Sequence, residues 1–241
     1  KYTGLADAYI SILKSLEHSS ALINAKINVK WIDTTEIEKG TITPEKELAG
    51  IHGLIVPGGF GARGAEGKIM CVKYARENKL PYLGLCYGFQ MAVLEFARNV
   101  CGLKKANSTE IDEKTKEDVI CILPEQDDVK ELGGTMRLGG YEVEIKKDTL
   151  AAKLYNKTIA RERFRHRYNV NPKYISTLEK HGMVFSGKAP AKKVMQIMEL
   201  PTHPFFFGTQ FHPEYTSRPL NPNPCYVGFS KAALEYKNKK N

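Results

Sequence analysis

The stretch Pro81-Tyr82-Leu83-Gly84-Leu85-Cys86-Tyr87-Gly88-Phe89-Gln90-Met91 decides how the chain reads. Pro81–Leu85 is a short apolar run, as a buried strand would be, and Tyr87–Asn99 places Met91 and Leu94, with Val100 after it, on an inward helical face. A strand that passes straight into a helix leaves one residue at the bend. Glycine two before and two after Cys86 keeps side chains out of the neighbouring backbone, which is the Gly-x-nucleophile-x-Gly pattern of a strand-to-helix elbow. The cysteine then projects from the carboxyl edge of the sheet at a helix N-terminus, whose dipole and free N–H groups favour a thiolate. A thiolate so placed can attack a carbonyl carbon.

Outward from the elbow, Gly53–Val56 reads as a buried strand ending at Pro57-Gly58-Gly59, and Ala65–Asn78 as a helix. Toward the N-terminus, Leu5–Ser19 carries Ala8, Ile12, Leu13 and Leu16 at helical spacing, and Ile27–Ile32 alternates like a strand. This rhythm predicts a parallel sheet with crossover helices. After residue 118 the character changes. Val119–Leu123, Gly140–Ile145, Met183–Ser186, Val194–Leu200 and Phe205–Phe211 read as strands, Pro172–His181 and residues 224–236 as helices. Asn107–Asp118 and Glu125–Gly140 read as polar loops, and Pro219–Pro224 as a rigid connector. The expectation is one α/β domain over residues 1–241, a central mostly parallel sheet flanked by helices, with a small antiparallel subsection.

A chain of 241 residues, 42% hydrophobic and 26% charged, can bury a core without covalent staples. Its five cysteines show no paired spacing, which favours a reducing, cytoplasmic setting over a disulfide framework. No apolar run approaches a membrane span of about 20 residues, and no signal peptide is visible. The net charge of +9 is spread along the chain with a modest basic end at Lys237, Lys239 and Lys240. Nucleic-acid binding needs a clustered basic face, so neither nucleic acid nor membrane is expected as a partner.

A thiolate alone does not complete hydrolysis; a general acid must protonate the leaving amine and a base must activate water. Among six histidines, His212 follows the apolar run Phe205–Phe211 and so emerges at a strand end. Glu214 lies two residues on, and on an extended backbone residues i and i+2 point the same way. That carboxylate could fix the tautomer and orientation of the imidazole. His18, His52, His181 and His203 sit in weaker contexts, and His166 falls in the basic cluster Arg161–Arg167. Cys71, Cys101, Cys121 and Cys225 lack the elbow context and read as structural.

Gly59-Phe60-Gly61-Ala62-Arg63-Gly64 matches the dinucleotide pattern G-x-G-x-x-G. It does not follow the first strand of its region, however, and the next strand ends in Cys86 rather than in an acid that could hold a ribose. Consecutive strands place this loop beside the elbow. Its backbone N–H groups, with Gly59 allowing close approach and Tyr87 N–H as a second donor, could form an oxyanion hole, each donor worth roughly 3–4 kcal/mol. No P-loop, zinc spacing or calcium loop is present, so no metal or nucleotide is expected here.

Together these residues resemble the class I, triad-type glutamine amidotransferases. The resemblance rests on Val56-Pro57-Gly58-Gly59-Phe60-Gly61, Gly84-Leu85-Cys86-Tyr87-Gly88-Phe89-Gln90 and Phe211-His212-Pro213-Glu214. Asn107-Ser108-Thr109-Glu110, residues 133–139, Arg165-His166-Arg167-Tyr168 and residues 215–219 narrow it to the amidotransferase domains of the CTP synthase family, over nearly the whole chain. It implies a flavodoxin-like fold and hydrolysis of L-glutamine to glutamate and ammonia through a thioester on Cys86. His212 and Glu214 would complete the triad. Gly59, Tyr87, Gly88, Phe89 and Gln90 would contact glutamine, Glu110 its α-amino group and Arg167 its α-carboxylate. The resemblance further implies an N-terminal synthetase domain, absent from this sequence, as partner. There ATP and Mg would serve the amination of UTP to CTP, in a homo-oligomeric enzyme. No cofactor is implied for this chain. Residues 133–139 would be a lid near the glutamine site, and the stretch from Lys1 would follow a first strand that is missing or truncated. Phe164 stands where the family usually has histidine. A GMP-type amidotransferase subunit and a non-catalytic glutamine-binding module are the competing readings. The residue 133–139 and 165–168 motifs argue against the first, and the intact Cys86, His212 and Glu214 against the second.

Overall fold

The structure is a computed structural model that describes residues 6–122 and 136–240. In chain order the strands are β1 (Leu54–Val56), β2 (Tyr82–Leu85), β3 (Asn107–Ser108), β4 (Asp118–Cys121), β5 (Arg137–Ile145), β6 (Ile159–His166), β7 (Asn169–Val170), β8 (Val184–Lys188), β9 (Met195–Glu199) and β10 (Phe206–Thr209). The helices are α1 (Ile10–Ile23), α2 (Thr34–Glu38), α3 (Pro44–Glu47), α4 (Ala65–Glu77), α5 (Tyr87–Asn99), α6 (Leu150–Tyr155), α7 (Pro172–Lys180) and α8 (Pro224–Lys240).

Seven strands make one mixed sheet in the order β1-β2-β10-β9-β8-β5-β6. β1, β2 and β10 are parallel, with Val56 beside Gly84 and Gly208 beside Gly84 on the other side. From β10 outward every pairing is antiparallel. The antiparallel part is therefore larger than a small subsection, but the parallel half still carries the elbow. A three-stranded sheet, β3-β4-β7, stands apart.

The alternation of a strand sends its side chains to two cores. Tyr82 joins the cluster with Ile69, Val72 and Met91 beneath α4 and α5, whereas Leu83 and Leu85 join Ile12, Leu16 and Phe229 beneath α1 and α8. α5 is buried from Tyr87 to Ala97, so its first residue is fixed relative to the sheet. A buried ion pair holds its outer end: the guanidinium of Arg76 on α4 donates to both carboxylate oxygens of the fully buried Glu95, at 2.8–3.1 Å.

Four sequence readings change. Ile27–Ile32 is not a strand. Among the described residues its backbone makes no ladder bonds, and it lines a cavity of about 180 Å³ together with β1. The basic cluster at Arg161–Arg167 lies in a strand, β6, which pairs with β5 over eight residues from Arg137–His166 to Glu144–Ile159. Ala160, Glu162, Phe164 and His166 point inward and the arginines at 161, 163 and 165 point out; two polar inward residues hid the alternation. α1 begins at Ile10, after a short turn over Ala6–Tyr9, and runs on to Ile23. Asn107–Asp118, expected as a loop, opens and closes on β3 and β4. Residues 123–135, which include Gly133, Gly134 and Thr135 of the expected lid, lie outside the described residues.

Candidate active site

Cys86 sits between β2 and α5 with φ 51° and ψ −95°, a conformation that non-glycine residues rarely adopt and that must be held by its surroundings. The Cys86 N–H donates to Thr209 O at 2.7 Å and the Gln90 N–H to Cys86 O at 3.2 Å. The flanking glycines are needed because backbone fills the space of any side chain. A Cβ on Gly84 would stand 2.8 Å from the Gly88 carbonyl carbon, and one on Gly88 would overlap the Val56 carbonyl. The Tyr82 hydroxyl donates to Gly88 O at 2.8 Å and closes the bend.

His212 and Glu214 follow β10. The expectation that an extended backbone aligns them is replaced by a one-turn 3-10 helix over Pro213–Tyr215. Within it Glu214 Oε1 accepts from His212 Nδ1 at 2.7 Å, both side chains being buried. The His212 N–H donates to Arg163 O of β6 at 2.8 Å, and its ring stacks on Tyr215 with centroids 5.0 Å apart. Burial opposes charge on this ring, but the adjoining Cys86 sulfur and then the Glu214 carboxylate outweigh it and raise its pKa well above the ordinary value. Nε2, the other ring nitrogen, is buried without a hydrogen-bond partner among the described residues. His212 shares with Cys86, Glu214 and Gly59 the lining of a cavity of about 480 Å³.

The remaining sequence candidates distribute differently. Gly59 lines the cavity, but a Cβ there would meet only Tyr87 Cδ1, at 3.9 Å. The glycine under steric demand is Gly58. The Tyr87 hydroxyl donates to Gly61 O at 2.8 Å, tying α5 to the glycine loop, and burial pushes its pKa up. Tyr87 also opens α5, where first-turn N–H groups lack intrahelical acceptors. Gly88 packs on β1. The Phe89 side chain lies in the core rather than in the cavity. Gln90 is buried beneath the elbow, its Nε2 donating to Tyr168 O at 3.1 Å and to Gln210 Oε1 at 3.3 Å. Glu110 Oε1 accepts from Gly61 N–H at 2.8 Å, so it borders the same loop. Arg167 is half-buried and its Nε has no partner among the described residues, a donor suited to an anion. Among the other histidines, His166 is buried against Asn169 at 3.0 Å, and burial lowers its pKa to about 3. His203 bonds Ala75 O and Phe205 N–H. His18 bonds Ser217 and His181 bonds Thr177 O.

Several wall residues were given no site role from sequence. Tyr9 and Ser11, at the start of α1, line the cavity with Arg165 and Tyr215. The Arg165 carbonyl faces the Cys86 sulfur at 3.7 Å, as does Gln210 Nε2 at 3.7 Å. Tyr215 follows His212 within three residues, and that adjacency was the available signal. The contribution of α1 has no local sequence signature. Among the described residues no cluster of three or more His, Cys, Asp or Glu side chains could hold a metal ion.

The chain is similar to CTP synthases over almost all of its own length. It is 54% identical over 238 residues to the CTP synthase of Thermococcus gammatolerans, and 52% identical over 239 residues to that of Archaeoglobus fulgidus. These alignments cover 98% and 99% of the chain but 44% of each relative, so the chain spans less than half the length of the curated relatives it matches. The glutaminase domain of Trypanosoma brucei CTPS, solved with bound acivicin, superposes with a TM-score of 0.87 at 35% identity, covering 95% of this chain and 89% of that one. The family model described as Glutamine amidotransferase class-I matches residues 4–232, and the chain belongs to that family.

Proposed function

We propose that the chain is the glutaminase domain of a CTP synthase, and that Cys86, His212 and Glu214 hydrolyse L-glutamine to glutamate and ammonia. The observation that carries this reading is the buried 2.7 Å His212–Glu214 pair lining one cavity with the elbow cysteine. The Cys86 sulfur forms a bond to the side-chain amide carbon, and the Gly59 and Tyr87 N–H groups receive the oxyanion. His212 Nε2 delivers a proton to the departing nitrogen, which leaves as ammonia, and a glutamyl thioester remains. His212 then takes a proton from water, hydroxide adds to the thioester carbon, and the C–S bond breaks to release glutamate. Glu214 holds the ring by Nδ1 so that Nε2 faces the reaction. Glu110 would pair with the α-ammonium and Arg167 with the α-carboxylate. Gln90 and the buried side of α5 support this surface from below.

The relatives' names and the acivicin complex of the Trypanosoma brucei domain support glutamine as the substrate. In the full-length protein the ammonia would pass to a synthetase domain that uses ATP and Mg to convert UTP to CTP. The whole enzyme would be a homo-oligomer acting in the cytoplasm. No described helix is long and apolar enough to cross a membrane. Glutamate release and intact-mass trapping by a glutamine-site electrophile, in wild type and Cys86→Ala, test the proposal. Release and adduct that both vanish in Cys86→Ala support it. An adduct on Cys86 without release supports a sound site that is gated by its partner domain. Neither release nor adduct in wild type sinks it and favours a non-catalytic binding module.

A further inference from the structure

We propose that Gln210 is a further catalytic residue: its side-chain amide donates a hydrogen bond to the Cys86 sulfur and stabilises the thiolate as both attacking and leaving group. The proposal rests on Cys86 being the nucleophile.

Gln210 follows β10, is fully buried, and is anchored by its N–H to Gln196 O at 2.8 Å. A glutamine amide can point either way, and neighbours decide which. Here a directional chain decides. The Tyr168 carbonyl can only accept, so Gln90 presents its NH₂ group to it, at 3.1 Å. The same Nε2 reaches Gln210 Oε1 at 3.3 Å, which fixes that atom as the acceptor and leaves Gln210 Nε2 facing the sulfur at 3.7 Å.

The acceptor state of the sulfur then matters. A buried N–H gains little from a neutral thiol and much from an anion. As a thiol, Cys86 can donate to Arg165 O at 3.7 Å; as a thiolate it loses that bond and keeps Gln210. In acylation a sulfur electron pair becomes the C–S bond. In deacylation that bond breaks and the pair returns to sulfur, where the same N–H meets it, while His212 carries the protons. The donor is fixed in place before either step.

Iodoacetamide, small and neutral, reads the thiolate directly. Alkylation of Cys86 is followed by peptide mass across pH in wild type, Gln210→Met and Gln210→Glu. Gln210→Met is expected to react about tenfold more slowly near pH 6.5, the loss of one charge-assisted bond. The difference should narrow at higher pH, to within about twofold of wild type near pH 9.5. Gln210→Glu keeps the acceptor for Gln90 but faces the sulfur with a carboxylate, and should be slower than Gln210→Met near pH 6.5. It also serves if the methionine variant does not fold. Slowing by one factor at every pH, or no slowing, overturns the role of Gln210 and leaves the nucleophile intact. A wild type whose Cys86 is not alkylated at any pH takes down the nucleophile reading, and this proposal with it.

Discussion

Gly58 lies so close to His212 that a Cβ added to it would stand 2.9 Å from the ring's Cε1 and 3.7 Å from the Cβ of Cys86. The His212 ring and the Cys86 side chain are therefore fitted around a position without a side chain. Gly58→Ala must displace the ring, and a misplacement near 1 Å costs about 100-fold in rate. Glutamine hydrolysis should fall by about that factor. The unfolding midpoint should drop by only about 2–4 °C for each kcal/mol of local overpacking. Activity falling no further than stability would show that the ring has room to adjust.

The charge on His212 depends on its neighbours. Burial alone would lower its pKa, and the Cys86 sulfur is the largest influence raising it, ahead of Glu214. In Cys86→Ala the ring should therefore deprotonate at lower pH than in the wild type. The imidazole Cε1–H signal followed by NMR against pH measures both. An unchanged titration would mean that Glu214 alone holds the proton.

Glu162 on β6 anchors the turn that carries Glu214. Its carboxylate accepts from Tyr155 OH at 2.7 Å, Thr216 Oγ1 at 2.7 Å and Asn223 Nδ2 at 2.9 Å, and burial raises its pKa. Glu162→Ala takes an acceptor from three buried or half-buried donors, each of which keeps a second partner at Cys225 Sγ, Pro213 O or Thr216 Oγ1, so the cost is about 1–3 kcal/mol in all. Chemical denaturation should show a loss of that size, and kcat should fall more than KM changes, because the displaced Glu214 holds the His212 ring. Glu162→Gln keeps the shape and should lose less on both counts.

Two buried histidines should make the fold acid-sensitive. Burial lowers the pKa of His203 to about 4 and of His166 to about 3, from an ordinary 6.5. Their folded values lie below the unfolded one. The stability they contribute is thus fully present above about pH 6.5 and is lost as pH falls toward those folded values. Denaturation curves between pH 7.5 and 4.5 should show this decline, with a shallower slope in His203→Gln. An identical slope would place the acid sensitivity elsewhere.

The sequence by itself determined the elbow, because its cause is local. A bend of one residue excludes side chains at Gly84 and Gly88 whatever the rest of the chain does, and the apolar strand and helix on either side are short-range patterns. It also determined that His212 and Glu214 lie within reach of each other, though not through which local conformation. Tertiary structure alone decided the rest. Gly58, rather than Gly59, carries the steric demand because His212 arrives from 154 residues away. β6 escaped notice because Glu162 and His166 point inward, and only their bonds to the Thr216 turn and to Asn169 make polar residues acceptable there. Ile27–Ile32 has the alternation of a strand but no ladder, since alternation describes two faces and pairing needs an adjacent backbone. The amide chain from Tyr168 through Gln90 and Gln210 to Cys86 joins three separate segments, and its direction exists only once they are packed together.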